Sequence, residues 1–381
     1  MLNPVAMSII VNVFTQPKER ARAIGVWGGV VGISMSLGPI VGGALTASVG
    51  WRSIFWINVP IGLAAIVLTA LRVPESKAPR PRRLDPVGQL LMIVTLATLT
   101  YGIIEGPRSG WASAPIVSCF ALAAAGLISL IFYELRREEP LIDVRFFRSA
   151  PFAGATLMAI CAFAALSGFL FLGTLYLQEV RHLNALHAGL YMVPMAAMAL
   201  IFAPLSGRIV GTRGPRLPLL VAGVGITLSG AALTTLSAQT TAGLLVGTFV
   251  VFGIGFGMVN TPITNNAVSG MPRAQAGVAA AVASTSRQLG QSLGVAVIGS
   301  AVTSRIHGPL AVSFAAASHL GWWIVVGCGV AVLLLGLVTT TRWARATAAA
   351  TARRLASGEV LADGEEPPEP PAHLRFPATT S

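Results

Sequence analysis

Long apolar blocks alternate with short polar connections along most of the chain. Each block reaches the roughly 18–20 residues that a helix needs to cross the hydrocarbon core of a bilayer. The blocks lack the alternating pattern of barrel strands, and lipid offers no partner to unpaired backbone groups, so every block is predicted to be helical. Ten full spans are expected, at residues 22–46, 54–72, 87–104, 114–133, 150–177, 185–206, 216–236, 241–264, 275–303 and 319–340.

Composition supports the same class. Of the 381 residues, 54% are hydrophobic and 10% are charged, whereas a soluble domain carries roughly 25% charged residues. The net charge of +12 is spread over the connections instead of one patch, which argues for membrane topology and against a nucleic-acid partner. The predicted fold class is therefore an all-α membrane protein, and a soluble enzyme is excluded.

Basic residues concentrate in every second connection, as in the segment that holds Arg136, Arg137, Arg145 and Arg148. Lys and Arg are retained in the cytoplasm, so we expect a multi-pass protein of the bacterial inner (cell) membrane with a cytoplasmic C-terminus. The opposite side keeps few basic residues, namely Arg52, Arg108, Arg181 and Arg305.

The two ends of the chain differ from the rest. Met1–Phe14 is apolar but too short to span, and it lacks the basic region of a signal peptide. We interpret it as the end of a helix whose beginning is absent, through truncation or a start codon placed too late. Residues 341–381 become polar and proline-rich and are expected to form a disordered cytoplasmic tail.

A glycine-rich block, GVWGGVVGISMSLGPIVGG, covers residues 25–43. Its i,i+4 glycine pairs form a groove without side chains, where another helix can approach closely, and its proline removes one helical hydrogen bond. The block resembles the antiporter motif of the fifth helix in major facilitator exporters. The positions that carry this resemblance are Gly25, Gly38, Pro39, Gly42 and Gly43, with Ser34 in place of one further glycine.

The flanking segments 16–25 and 51–60 also resemble that family. Together these motifs are similar to the fourteen-span drug:proton antiporters of the EmrB/QacA type. The resemblance implies an N-terminally truncated major facilitator fold that lacks the first three helices and most of the fourth, leaving ten full transmembrane helices and a partial one. The implied units are 1–72 (the rest of the N-terminal half), 73–149 (an inserted helix pair with its loops), 150–340 (a complete six-helix C-terminal half) and 341–381 (the tail).

A second basic motif follows the span at 185–206. Gly207, Arg208, Arg213 and Gly214 resemble the cytoplasmic loop motif of the superfamily, although Gly211 stands where that pattern has an aspartate. A short turn that obeys the positive-inside rule explains the same residues equally well.

Arg287 is a charge deep within a span, where insertion costs roughly 2.5–3.5 kcal/mol unless the group faces water or a partner. Ser284, Gln288 and Gln291 share its helical face. These four residues are candidates for the wall of a substrate cavity. The alternative is a structural arginine bonded to carbonyl groups of adjacent helices, and the sequence leaves both open.

Asn260 is a further cavity candidate, because Asn260, Thr261 and Pro262 interrupt an apolar block. Either a broken helix lines the pathway there or a packing notch lies near the cytoplasmic end. No acidic residue lies at mid-depth in any predicted span. If the resemblance to the drug:proton antiporters holds, we therefore expect the proton-coupling carboxylate in the absent N-terminal part.

The resemblance implies a secondary active transporter that exports drugs, antibiotics or other hydrophobic small molecules by alternating access, with the proton gradient as its energy source. No cofactor and no metal site are expected, since the histidines are scattered and the three cysteines lie inside spans. The expected partners are the lipid bilayer, a small-molecule substrate and protons, with a periplasmic adaptor protein left open.

Two other classes of function compete with transport. The chain is alternatively a truncated remnant or membrane scaffold that transports nothing without a separate N-terminal part. A membrane enzyme would need paired catalytic groups, and Glu138, Glu139 and Asp143 lie in a basic loop without a catalytic partner.

Overall fold

The computed structural model describes residues 40–72, 85–137, 144–269, 271 and 276–363, with isolated positions at 9, 13, 23, 34 and 38. These residues are helical apart from short connections. After a helical stretch at 40–48 and a single turn at Ser53–Trp56, the helices are α1 (Asn58–Arg72), α2 (Pro86–Ser109), α3 (Ala114–Leu135), α4 (Ala150–Leu175), α5 (Ala185–Arg213), α6 (Arg216–Leu233), α7 (Ala242–Val268), α8 (Ala276–Thr303), α9 (Leu310–Thr339) and α10 (Arg342–Asp363). A 3-10 turn (Val144–Arg148) precedes α4, and a π turn (Tyr176–Val180) extends it.

Eight of the described helical segments are long and apolar enough to cross a membrane, which confirms the all-α membrane class. Helix α8 has 28 residues but is not among the eight, because its serine, glutamine and arginine side chains dilute its apolar character. The predicted span at 22–46 lies mostly outside the described residues. Helix α9 begins at Leu310, nine positions before the predicted start at residue 319.

Helices α4 to α9 pack into one bundle. Helix α7 lies between α5 and α6, α8 packs along α4, and α9 packs along α6. The centre of the bundle is a buried aromatic cluster in which Phe169 of α4 stacks on Phe252 of α7, with ring centroids 4.0 Å apart, and meets Trp322 of α9 edge-on. Helices α2 and α3 form a separate hairpin that contacts the bundle through α8.

Hydrogen bonds between helix ends identify the two ends of the bundle. At one end, Asn266 donates to Thr339, and the backbone N–H of Ala150 donates to Thr347. The exposed arginines Arg148, Arg342 and Arg345 also lie there, so we call this the basic end. At the opposite end, Tyr176 donates to the carbonyl of Ser237 and His319 bonds to the carbonyl of Leu236.

Glycines bring the backbone of α7 close to its neighbours on both sides. A Cβ atom added at Gly257 would lie 2.9 Å from the carbonyl oxygen of Ala199 on α5. On the other face, a Cβ at Gly255 would lie 2.9 Å from the backbone nitrogen of Ile226 on α6. Distances this short leave no room for a side chain, so α7 fits between α5 and α6 only with glycine at these positions.

Helix α7 runs without a break through Asn260, Thr261 and Pro262 to Val268, so the broken-helix interpretation is wrong. Proline has no N–H group, and Pro262 therefore leaves the carbonyl of Met258 without its usual helical donor. Ser206 of α5 supplies the missing donor, with its hydroxyl 2.9 Å from the Met258 oxygen. In lipid, where water cannot satisfy such a group, this bond lets the helix continue.

The expected disorder of the tail does not extend to residues 342–363, which form α10. The segment is rich in alanine, the best helix former. Its buried positions recur at helical spacing, which gives α10 one face that packs on the basic end. These positions are Ala344, Ala348, Thr351 and Leu355.

The bond between Ser206 and Met258 predicts a specific pattern of stability. We expect Ser206→Ala to destabilise the protein by about 1–3 kcal/mol, because it leaves a buried carbonyl without a partner. In a Pro262→Ala background the alanine N–H can bond to Met258, so Ser206→Ala should cost far less. Thermal unfolding of the four purified variants in detergent measures both costs, and equal costs in the two backgrounds would contradict this role of Ser206.

Candidate functional site

An open groove of about 670 Å³ lies between α4 and α8. Its walls are mostly apolar, with three hydroxyl groups and one amide among them. The lining residues are Leu166, Ser167, Leu170, Phe171, Thr174 and Leu175 of α4, and Gln291, Ser292 and Val295 of α8. An apolar surface with a few polar groups is typical of sites for hydrophobic small molecules.

Two glycines bring α8 against α4 beneath this groove. A Cβ at Gly294 would lie 2.6 Å from the Cα atom of Ala164, and a Cβ at Gly290 would overlap the backbone of Ile160. Side chains to one side of this contact line the groove. Sequence analysis did not single out this pair, although its i,i+4 spacing was the available signal.

The four residues of the predicted polar face of α8 lie in different environments. Gln291 lines the groove, which agrees with a cavity role. Ser284 is half-buried and Gln288 is exposed, and neither contributes to the groove wall. The four residues share one helical face in the sequence pattern, but the structure brings only Gln291 into the groove.

Arg287 is mostly buried and binds two neighbouring helices. Its guanidinium donates to the hydroxyl of Thr264 on α7 at 2.5 Å and lies 6.0 Å from the ring centroid of Phe163 on α4. Its Nε atom has no hydrogen-bond partner among the described residues. The sequence left open a structural arginine bonded to carbonyl groups of adjacent helices. The acceptor in the structure is instead the hydroxyl group of Thr264.

The arginine charge lies nearer to the basic end than its backbone does. The Cα atom of Arg287 is eleven residues into α8, or about 16 Å along the axis. Helical side chains point toward the N-terminus, and α8 begins at the basic end. Thr264 lies four residues from the end of α7, or about 6 Å. The side chain thus carries its charge toward the membrane surface.

Asn260 does not line the groove. Its side chain is exposed, and its carbonyl accepts a hydrogen bond from the hydroxyl of Thr264 at 3.1 Å. Thr264 therefore accepts from Arg287 and donates to Asn260, so both capacities of its hydroxyl group are used.

Among the described residues of the glycine-rich motif, Gly43 meets α5. Gly43 is buried, and a Cβ there would lie 2.6 Å from the carbonyl oxygen of Ala185 and 2.8 Å from the Cα atom of Leu186. A Cβ atom added at Gly42 or at Gly38 would have no other heavy atom within 4 Å. Ser34 is exposed, while Gly25 and Pro39 lie outside the described residues.

The second basic motif is helical for most of its length. Gly207, Arg208 and Arg213 belong to the last turns of α5, and the two arginines are exposed. Gly214 then turns the chain with φ +82°, a conformation that glycine adopts without strain. Neither arginine side chain forms a hydrogen bond within the described part of the chain, and both interpretations of this motif stay predictions.

The described residues contain no group of three or more His, Cys, Asp or Glu side chains that could hold a metal ion. The side chains that line the groove offer hydroxyl and amide groups but no charge. This arrangement can bind an apolar molecule with a few hydrogen bonds.

Comparisons with known proteins agree with these features. The model of the Major Facilitator Superfamily matches residues 1–295. The chain is 36% identical over 299 residues to "Multidrug resistance protein Stp" of Mycobacterium tuberculosis, which covers 78% of this chain and 56% of that protein. It is also 36% identical over 311 residues to "Tetracenomycin C resistance and export protein" of Streptomyces glaucescens. This match covers 80% of this chain and 57% of that protein. The chain thus spans little more than half the length of these relatives.

Among solved structures, the chain matches a bacterial homologue of the human lysosomal transporter Spinster, in an inward-facing and occupied conformation. The TM-score is 0.44 and the sequence identity is 19%, over 95% of this chain and 75% of that one.

The contact of Gly43 with α5 predicts opposite results for two adjacent substitutions. Gly43→Ala should destabilise the protein by about 1–3 kcal/mol, because the new methyl group overlaps the backbone of Ala185 and Leu186. Gly42→Ala has free space and should be neutral or stabilise the helix by up to about 1 kcal/mol. Thermal unfolding in detergent measures both, and similar effects of the two substitutions would contradict the assigned contact.

Proposed function

Since this chain belongs to the major facilitator superfamily, we propose that it is a secondary active transporter that exports drugs, antibiotics or other hydrophobic small molecules. Two relatives are named for resistance to, or export of, such compounds. Membership in a transporter family also supports the expectation that the chain is not an enzyme.

The groove between α4 and α8 is the observation that carries this proposal. It is large enough to take part of a drug-sized molecule, and its surface is apolar except for hydroxyl and amide groups. Gln291 and Ser292 offer hydrogen bonds to a substrate, while Phe171 and Leu170 offer apolar contact. Because these contacts are few, they suit a range of hydrophobic molecules better than one rigid ligand.

Proton coupling and alternating access are the finer parts of the proposal. The groove has no titratable side chain in its wall, so the group that carries the proton lies elsewhere in the transport pathway. In our account, the close contact of Gly43 with α5 lies where the two halves of a fourteen-span antiporter meet, and rocking of the halves about that contact exposes the groove to each side in turn.

We assign the basic end to the cytoplasm. Arg148, Arg342 and Arg345 lie at that end, whereas Arg181 lies near Ala238 and Thr240 at the opposite end. Retention of basic residues inside the cell then places α10 in the cytoplasm.

The alternative from the sequence, a chain that does not transport by itself, differs in one observable property. If the 381-residue chain is a complete transporter, it extrudes a dye when it is expressed alone. If it is a remnant or a scaffold, extrusion requires co-expression of a fragment that supplies the remaining helices.

The test of the transport function is energy-dependent extrusion of a fluorescent hydrophobic dye from an efflux-deficient bacterial host. We expect extrusion that an uncoupler abolishes, and we expect Ser292→Trp to reduce it several-fold because the indole fills the groove. Leu228→Trp is the matched control, since Leu228 lies on an exposed face of α6 that lipid can cover.

Membrane levels of each variant are measured by immunoblot. The proposal is wrong if no extrusion occurs with or without a complementing fragment. The site assignment is wrong if Ser292→Trp and Leu228→Trp extrude the dye equally well at equal membrane levels.

A further inference from the structure

A second groove, of about 390 Å³, lies on α3 at the basic end of the α2–α3 hairpin. Its walls are Ser129, Phe132, Tyr133, Arg136 and Arg137. We propose that this groove binds the headgroup of an anionic phospholipid, with the phosphate on the two guanidinium groups and an acyl chain along the apolar side of α3.

Buried hydrogen bonds fix one wall of the groove. Asp85, which is 3% exposed, caps α2 by accepting from the backbone N–H of Gly88 at 2.9 Å. The same carboxylate oxygen accepts from Tyr133 at 3.2 Å and from Arg137 at 2.7 Å. Arg137 also donates to the Tyr133 hydroxyl. The phenol and the guanidinium are therefore held in place before any ligand arrives, which lowers the entropic cost of binding.

The charge available to a ligand comes mainly from Arg136. Asp85 balances the charge of Arg137, and the Glu134 carboxylate is buried beside Gly88, where the two helices meet. Arg136 is exposed, and no hydrogen bond or ion pair of its side chain occurs within the described residues. Arg148, in the 3-10 turn that packs near the end of α3, adds a further exposed positive charge.

The surroundings of the groove favour a lipid over a free anion. Phe132 lines the groove and is 60% exposed. Ile128 and Leu135 lie one turn to either side on the same face, and both are also largely exposed. In the membrane this apolar stripe contacts acyl chains, so the groove joins an acyl-chain surface to a guanidinium pair at headgroup level. Basic residues at the cytoplasmic end of a transmembrane helix attract anionic headgroups.

This groove differs from the one between α4 and α8, which no charged side chain lines. A hydrophobic substrate would find two guanidinium groups and little enclosed apolar surface here. A phosphodiester finds two guanidinium groups and a serine hydroxyl within one site, which matches its charge and its acceptor atoms.

The test is native mass spectrometry of the full chain in detergent with phosphatidylglycerol, and with phosphatidylcholine of the same acyl chains. We expect tighter binding of phosphatidylglycerol. Arg136→Gln should weaken it about fivefold, which corresponds to the loss of one basic residue at an anionic lipid surface. Arg136→Lys should retain most of the binding. The matched control is Arg108→Gln at the opposite end of the same hairpin, where the side chain is 82% exposed, and it should change nothing.

Equal phosphatidylglycerol binding by the unmodified chain and Arg136→Gln would overturn the assignment, as would equal affinity for the two lipids. Competition by millimolar inorganic phosphate would show a free-anion site and would overturn the lipid proposal. Binding is measured here without transport, so the result does not depend on the proposed export function.

Discussion

Close approach of helix backbones is the constraint on which this bundle depends. Lipid tails solvate apolar side chains as well as other helices do, so association requires the dense packing that small residues allow. Glycines provide it where α7 meets α5 and α6, where α8 meets α4, and where Gly43 meets the start of α5. The groove between α4 and α8 follows from the same constraint, since the two helices touch at Gly290 and Gly294 and side chains beside that contact form its walls.

Two polar groups within this apolar bundle find their hydrogen-bond partner on the adjacent helix. Ser206 of α5 bonds to the carbonyl that Pro262 leaves free, and Thr264 of α7 accepts from Arg287 of α8. At the hairpin, Asp85 joins the start of α2 to the end of α3. Each arrangement lets a residue that is costly in lipid remain in place. The two grooves differ in charge. The walls of the α4–α8 groove are mostly apolar and uncharged, whereas the groove on α3 carries two guanidinium groups near the membrane surface.

The sequence predicted helix positions well and side-chain partners poorly. Apolar run length placed α3 at 114–133, close to the observed Ala114–Leu135, because lipid permits few other structures. It missed the start of α9 because residues 319–340 are by themselves long enough to cross a bilayer, so run length gave no reason to extend the span back to Leu310. Helical spacing gave Arg287 and Gln291 one face, but not Thr264 as the acceptor, which depends on how α7 lies beside α8. In the sequence, Pro262 indicates that the carbonyl of Met258 lacks its helical donor, but nothing indicates that Ser206 supplies the replacement.

The central claim is that the α4–α8 groove is an accessible binding surface while the outer faces of the bundle contact lipid. Single cysteines at Ser292 and at Leu228, in a chain whose three native cysteines are replaced by serine, test it directly by labelling with a membrane-impermeant maleimide. The account predicts that the cysteine at 292 is labelled much faster than that at 228, and that an apolar dye slows only the former. Equal labelling rates at the two positions, or no protection by dye, would contradict it.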